Sequence, residues 1–281
     1  MLKTSSGKVR RTGTREAYLR GQLGIHRSVW LQWARLMAGD LWARGRRLAA
    51  RGLSVGYTGY VGALVLVAVP ALWTQVVLLP AGRAVNRQVQ FWSRLVLRLG
   101  GFRLRVEGLE NFPPTGPAVL TANHASYLDS VALSAALPGD FRFVAKRELD
   151  ATPLIATLIR KVGHLTVERA GSARSVADAE RVTAVLRSGA LLVFFPEGTF
   201  FRHAELLPFK LGAFKAAVDV QCPVIPLTIR GTREILPPDE WLLRPGRITV
   251  SIGRPVTPAD GGWREIVRLR DAARAEIARR L

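Results

Sequence analysis

From residue 100 onward two rhythms of apolar and polar positions take turns along the chain. "FRLRVEG" alternates with the two-residue period of a strand. "AVLTA", "FRFVA", "HLTVE", "ALLVFF", "PVIPLTI" and "RITVSIG" are short apolar runs that read as strands. Between them lie stretches of helical spacing: "SYLDSVALSAALPG", "TPLIATLIRKVG", the helix carried by "LPFKLGAFKAAVDV", and "SARSVADAERVTAVLRSG", which a serine caps and Gly189 closes. "GWREIVRLRDAARAEIARRL" ends the chain as an amphipathic helix. Apolar strands interleaved with helices predict an α/β fold, a central mixed sheet flanked by helices. Pro226, within "PVIPLTI", is out of place in a central strand.

Before residue 100 the pattern changes. "MLKTSSGKVRRT" opens a basic tail predicted to be disordered over residues 1–27. "SVWLQWARLMAGDLWARGRRLAARG" spaces Trp30, Leu31, Trp33, Leu36, Met37, Leu41 and Trp42 roughly as a helix does, with arginines between them. That suits an amphipathic helix on an anionic membrane surface, although a core-packing helix shares the spacing. Gly52 to Gly82 then carries no charge over 31 residues, enough to cross a bilayer and too far from the start for a cleaved signal peptide. Pro70 would kink or break a helix there. Basic residues flank the run on both sides: Arg51 and its neighbours before, and six arginines from Arg83 to Arg105 after, with no acid until Glu107. Symmetric flanks give no orientation. They favour a re-entrant hairpin, turning near Pro70 with both flanks in the cytoplasm, over a single span. The expected organisation is thus the tail, an N-terminal helical membrane anchor over 28–99, and a globular domain over 100–281.

Lys and Arg outnumber Asp and Glu by 41 to 21, a net charge of +20 that implies an anionic partner. The long uncharged run argues against a soluble nucleic-acid binder, so no nucleic-acid partner is expected. The single cysteine, Cys222, excludes an intramolecular disulfide and any Cys-based zinc cluster.

Candidate chemistry begins in "NHASYLD". His124 and Asp129 are five residues apart, about 140° around an ideal helix, and could not touch on one. They meet if His124 lies in the loop after "AVLTA" and Asp129 in the first turn of the following helix, with Ser126 as its cap. Strand ends of open α/β sheets are where ligands bind. A carboxylate bonded to one imidazole nitrogen fixes the tautomer and frees the other nitrogen to take a proton from a substrate hydroxyl. Taken alone, the spacing fits a capping aspartate beside a hydrogen-bonded loop histidine just as well. "LVFFPEGTFF" sets Glu197 and Gly198 on a tight turn after a strand, and "GHLTVERAGSARS" sets Arg169 at a loop where a guanidinium can hold a phosphate bidentately or simply be solvated.

Together and in this order, Asn123-His124 to Asp129, Gly163 to Arg169, Phe195 to Thr199 and Val224 to Leu227 resemble the four blocks of the 1-acylglycerol-3-phosphate acyltransferase type of glycerolipid acyltransferase. The resemblance implies that residues 100–281 form an acyltransferase domain. It implies transfer from acyl-CoA or acyl carrier protein, as co-substrate, to the free hydroxyl of a lysophospholipid, with 1-acylglycerol-3-phosphate giving phosphatidic acid. No metal or other cofactor is implied, and the partners are membrane lipid and the lysophospholipid, at the cytoplasmic face of the inner membrane of a bacterium-like cell. It makes His124 the general base and Asp129 its orienter. Asn123, Glu197, Gly198 and Thr199 fall at the acceptor pocket, Arg169 at the phosphate, and Lys146 of "FVAKREL" becomes a second cation. The third block departs from the pattern. Members usually carry a basic residue after F-P-E-G-T, where this chain has Phe200-Phe201, and Arg202 comes two places late. In the second block Glu168 stands where Asp is usual. Backbone amides at the start of the helix after His124 are the expected donors to a tetrahedral oxyanion. A lipid hydrolase and a non-enzymatic basic membrane-binding protein are the competing readings. The lack of a G-x-S-x-G elbow counts against a serine esterase.

Overall fold

The computed structural model describes residues 15–16, 18–19, 29–113, 115–168, 173–200 and 205–281. Most of the basic tail predicted over 1–27 therefore lies outside the described residues, as do Arg169, Arg202 and the serine expected to cap the helix near residue 173. The chain divides into two compact units, Met1–Leu53 and Ser54–Leu281. Within the first, Trp33, Leu36, Met37, Leu41 and Trp42 are exposed on a helix, with Asp40 paired to Arg44 at 2.7 Å and the Arg46 guanidinium 4.7 Å over the Trp42 ring.

The helices are α1 Val29–Leu78, α2 Arg83–Leu99, α3 Leu128–Ala136, α4 Pro153–Val162, α5 Ala173–Arg187, α6 Gly212–Val220, α7 Thr232–Ile235 and α8 Trp263–Arg280. The strands are β1 Arg103–Glu107, β2 Ala118–Ala122, β3 Phe141–Lys146, β4 Leu165–Val167, β5 Leu191–Phe194, β6 Val224–Arg230 and β7 Arg247–Ile252. All seven predicted strands form, in one sheet of order β1-β7-β6-β2-β5-β3-β4. β6, β2, β5, β3 and β4 run parallel, while β7 is antiparallel to β6 and parallel to β1. The sheet is therefore mixed, as expected. Its central strands are buried on both faces, which their unbroken apolar character requires. Ala118, Leu120 and Ala122 face one core with α3, while Val119 faces the other with α5, α6 and α8.

The unusual proline has a local explanation. Pro226 pairs with Thr121 on the β2 side, but the antiparallel ladder to β7 begins only at Leu227. Val224 pairs with Val256 instead, and Gly253 N–H donates to Pro226 O at 2.8 Å. Pro226 thus sits in a break of the ladder, where its lack of an N–H costs little.

The turn expected at Pro70 does not occur. α1 runs through Pro70, and the chain reverses at residues 79–82 instead, where Gly82 adopts a φ of 103° that disfavours other residues. The end of α1 is tied down by Lys161, whose Nζ donates to the carbonyls of Val77 and Leu79, while Gly82 N–H donates to Lys161 O. Residues 54–99, expected in a separate anchor, belong to the same unit as the sheet. Tyr57 OH donates to Gly100 O at 2.6 Å, its ring meets Phe102 edge-on, and Val61 joins the core. The rest of this helix presents Leu53, Leu66, Val67, Val69 and Leu78 to solvent. α2 buries Asn86, Gln90 and Ser93 beside Val85 and Leu97. The side chains of Asn86, Gln90 and Arg94 donate to Asp140, Gly139 O and Ala135 O.

Candidate active site

β2, β5 and β6 lie side by side and point the same way, so their carboxyl ends form one rim. The loop after β2 carries Asn123 and His124, and the turn after β5 carries Phe195 to Gly198. Asn123, buried, clamps its loop to β6: its Nδ2 donates to Ile229 O at 2.9 Å and its Oδ1 accepts from Ile229 N–H at 2.7 Å.

His124 follows directly. Its Nδ1 lies 2.8 Å from Asp129 Oδ2. Asp129 stands in the first turn of α3 and is wholly buried. The same Oδ2 accepts from Ala125 N–H at 2.6 Å and from Ser126 N–H at 2.9 Å. An oxygen already accepting two bonds meets the ring as an acceptor, so Nδ1 carries a proton, and in the neutral ring the lone pair is on Nε2. Ser126 Oγ accepts from Leu128 N–H at 3.3 Å and donates to Leu236 O. The loop-then-helix arrangement inferred from the spacing is the one found.

A second carboxylate holds the loop from the other side. Glu197 Oε1 accepts from His124 N–H at 2.7 Å and Oε2 from Leu207 N–H at 2.9 Å. Burial raises the Glu197 pKa, against the opposing effect of those two N–H groups. The His124 ring lies 4.2 Å from that of Phe195, nearly parallel to it, and Phe200 meets it edge-on at 4.5 Å. Phe200 also touches Tyr127. A cavity of about 240 Å³ opens beside His124, lined by Asn123, Glu197, Arg230 and Thr232 among others.

This is a histidine–carboxylate pair at a strand end, backed by aromatic rings. A family model described as "Acyltransferase" matches residues 103–230. The 1-acyl-sn-glycerol-3-phosphate acyltransferase alpha of Ovis aries is 32% identical over 211 residues, covering 73% of this chain and 70% of the sheep protein. The chain belongs to the 1-acyl-sn-glycerol-3-phosphate acyltransferase family. The chloroplastic member from Arabidopsis thaliana is 34% identical over 157 residues, 55% of this chain. The chain spans only 44% of that plastid relative's length. The crystal structure of the 1-acyl-sn-glycerophosphate (LPA) acyltransferase PlsC from Thermotoga maritima shares the fold, with a TM-score of 0.65 at 23% identity over 81% of this chain and 92% of that one.

In this acyltransferase-family chain the predicted site residues separate into groups. His124, Asp129, Asn123, Glu197 and Gly198 come together. Each oxygen of Glu197 accepts one backbone amide, so the side chain braces the His124 loop while it lines the cavity. Thr199 is exposed beside Gly198. Lys146 ends β3 on the same rim, paired with Glu148 at 3.0 Å, and is not among the residues lining the His124 cavity. Arg169 and Arg202 fall outside the described residues. The approach to Arg169 is braced by Asp178, which accepts from Glu168 N–H at 2.8 Å and from Arg147 Nη2 at 2.6 Å. Burial pushes the Asp178 pKa up, but Arg147, that N–H and Arg181 outweigh it and leave it lowered.

Of the backbone amides between His124 and the following helix, those of Ala125 and Ser126 serve Asp129 and that of His124 itself serves Glu197. An amide engaged by a buried carboxylate has no hydrogen left for a substrate. His164, in the second block, is half-buried. Its Nδ1 accepts from Phe143 N–H, and desolvation with help from Arg142 lowers its pKa to about 4. Sequence reasoning missed the ring contacts of Phe195 and Phe200, because nothing in spacing reports which aromatic faces which ring.

Replacing Glu197 by alanine would strand two amide groups inside the protein, each costing roughly 1–3 kcal/mol. We expect Glu197→Ala to lower unfolding stability by roughly 2–4 kcal/mol and Glu197→Gln, which keeps an acceptor oxygen, by less. Chemical denaturation of the detergent-solubilised protein measures this. A loss below about 0.5 kcal/mol for the alanine variant, well short of one stranded amide, would remove Glu197 as the strap.

Proposed function

We propose that this chain transfers an acyl group from a thioester, acyl-CoA or acyl carrier protein, to the free hydroxyl of 1-acylglycerol-3-phosphate, giving phosphatidic acid. The observation that carries the reading is the 2.8 Å contact between His124 Nδ1 and Asp129 Oδ2 at the rim of the sheet. Membership of the acyltransferase family supports the reaction class, and the names of its relatives support the acceptor.

The chemistry follows from the free Nε2. It takes the proton of the acceptor hydroxyl as the oxygen attacks the thioester carbonyl, forming a tetrahedral oxyanion. Collapse breaks the C–S bond, and the imidazolium returns the proton to the departing thiolate. The products are an ester and a thiol, with no net proton change. Asp129 keeps Nδ1 protonated and stabilises the imidazolium in between. The nucleophile belongs to the substrate, which accounts for a base without a nearby protein serine in that role.

The acceptor and product are lipids, and the exposed apolar side of α1 suits a bilayer surface. Tyr57, Val61 and Val76 pack against the domain, so residues 54–78 hold to it along one side and offer the other to lipid. We propose that the chain sits monotopically, on the cytoplasmic face of a bacterial inner membrane, with charged segments at both ends of the apolar run on one side.

Two outcomes check this. His124→Ala should lower acyl transfer to 1-acylglycerol-3-phosphate by about two to four orders of magnitude, the usual worth of a general base, with the fold retained. Asp129→Asn should lose rate more than binding. Product masses from assays with acyl-CoA and with acyl carrier protein identify the donor, and more than about a tenth of wild-type activity in His124→Ala would overturn the mechanism. Membranes washed in high salt or carbonate should retain the protein, because salt screens charge but not buried apolar area. Release by salt alone would overturn the apolar anchor.

A further inference from the structure

Gly198 reveals what crosses the turn after β5. Its φ is 76°, and a Cβ built there would meet Lys210 Nζ at 2.9 Å and Cε at 3.0 Å. The lysine side chain therefore lies against the bare face of the glycine. Its backbone is fixed to the same turn, since Lys210 N–H donates to Pro196 O at 2.9 Å. Between Pro196 and Gly198 stands Glu197, which holds the His124 amide. One short turn thus carries a strap to the base and, across its glycine, an ammonium group.

Among the described residues the ammonium has no hydrogen-bond or ion-pair partner. Lys210 lines a cavity of about 270 Å³ together with Gly198 and Phe195, the ring stacked on His124. The other charged groups lining that cavity are engaged. Lys215 pairs with Asp219 at 2.5 Å, Asp178 pairs with Arg147 and Arg181, and Glu168 also has a partner. Among the described residues Lys210 Nζ has no carboxylate within salt-bridge distance, and its side chain is exposed. The position after Thr199 holds no cation, because Phe200 is packed on His124 and Tyr127.

An unpaired ammonium, placed on the turn that positions the base and open to a cavity reaching the base's aromatic backing, is a ready partner for an anion on the substrate. We propose that Lys210 binds the phosphate monoester of the acceptor, with its side chain lying across the bare face of Gly198. The proposal rests on the acyltransferase reading above. An ammonium is a compact point charge and needs no bidentate geometry, so a single approach over the glycine suffices.

The test uses the full chain in mixed micelles, with 1-acylglycerol-3-phosphate as acceptor, monoacylglycerol as its phosphate-free counterpart, and acyl-CoA as donor. Lys210→Ala should raise KM for the phosphorylated acceptor by about ten- to a hundredfold, the loss of one charge-assisted contact. Its kcat and donor KM should stay within about threefold, and transfer to monoacylglycerol should match the wild type. Lys210→Arg should restore most of the affinity. Lys215→Ala, in the same cavity but paired with Asp219, should leave the acceptor KM unchanged. Gly198→Ala should reproduce the KM rise with Lys210 still present, because the methyl displaces its ammonium. An unchanged acceptor KM in Lys210→Ala would overturn the proposal. So would a rise in donor KM instead, which would assign the lysine to the phosphates of the donor. A wild type that acylates no lysophospholipid would overturn the acyltransferase reading and leave this one to calorimetry. There, binding of 1-acylglycerol-3-phosphate without donor should weaken by the same factor in Lys210→Ala, and equal binding would refute it.

Discussion

Asp129 Oδ2 accepts three N–H groups at once, from Ala125, Ser126 and the His124 ring, on a side chain with no exposure to solvent. Burying a carboxylate is costly unless donors replace the water it loses. Hydrogen bonds to a charged group are worth roughly 1.5–3 kcal/mol each, so three of them offset much of that cost. They also fold residues 124–126 around one atom and fix the direction of the imidazole. The loop cannot relax without stranding the carboxylate, and the carboxylate cannot move without releasing the ring. Ring orientation and local stability rest on the same set of bonds here. The same bonds withdraw the neighbouring amides from any part in stabilising an oxyanion.

This arrangement needs a rigid frame, and the sheet supplies it. Asn123 ties the loop to Ile229 of β6, and Glu197 ties it to the turn after β5, so strands on both sides of β2 grip His124. The grip extends to the end of the chain. Arg274 of α8 donates to Leu206 O at 2.9 Å, and Leu207 N–H completes the Glu197 carboxylate. Internal pairs, such as those of Arg147 and Arg181 with Asp178 and of Arg268 with Glu265, brace the domain. They draw on acids already subtracted in the net charge, so the +20 excess remains.

Much of this was legible in the residues, for stated reasons. Central parallel strands are buried on both faces, so "AVLTA" and "ALLVFF" read as apolar runs and the α/β fold followed. The geometry of five residues across a strand end and a first helical turn placed His124 against Asp129. Other features are set by tertiary contact and leave no periodic trace. The bracing role of Glu197 left no trace in the sequence because its two amide partners, His124 and Leu207, are 73 and 10 residues away. Lys210 sits in an ordinary helical lead-in, and only its position over Gly198 marks it. Pro70 suggested a turn from the general rule for helix interiors, but an apolar helix packed along a domain tolerates it, and the reversal falls at Gly82. The ladder break at Pro226 depends on where β7 stops, which β6 alone does not encode.

The central claim is that Asp129 holds His124 as the tautomer with the proton on Nδ1 and a bare Nε2. Nitrogen-15 NMR of the imidazoles reads this directly, with His124 assigned among the four histidines by its loss in His124→Ala. At a pH where the ring is neutral, the account predicts a protonated Nδ1 and an unprotonated Nε2 for His124, and loss of that single-tautomer signature in Asp129→Asn. A His124 ring protonated on Nε2 in the wild type, or a tautomer mixture unaffected by Asp129→Asn, would contradict it.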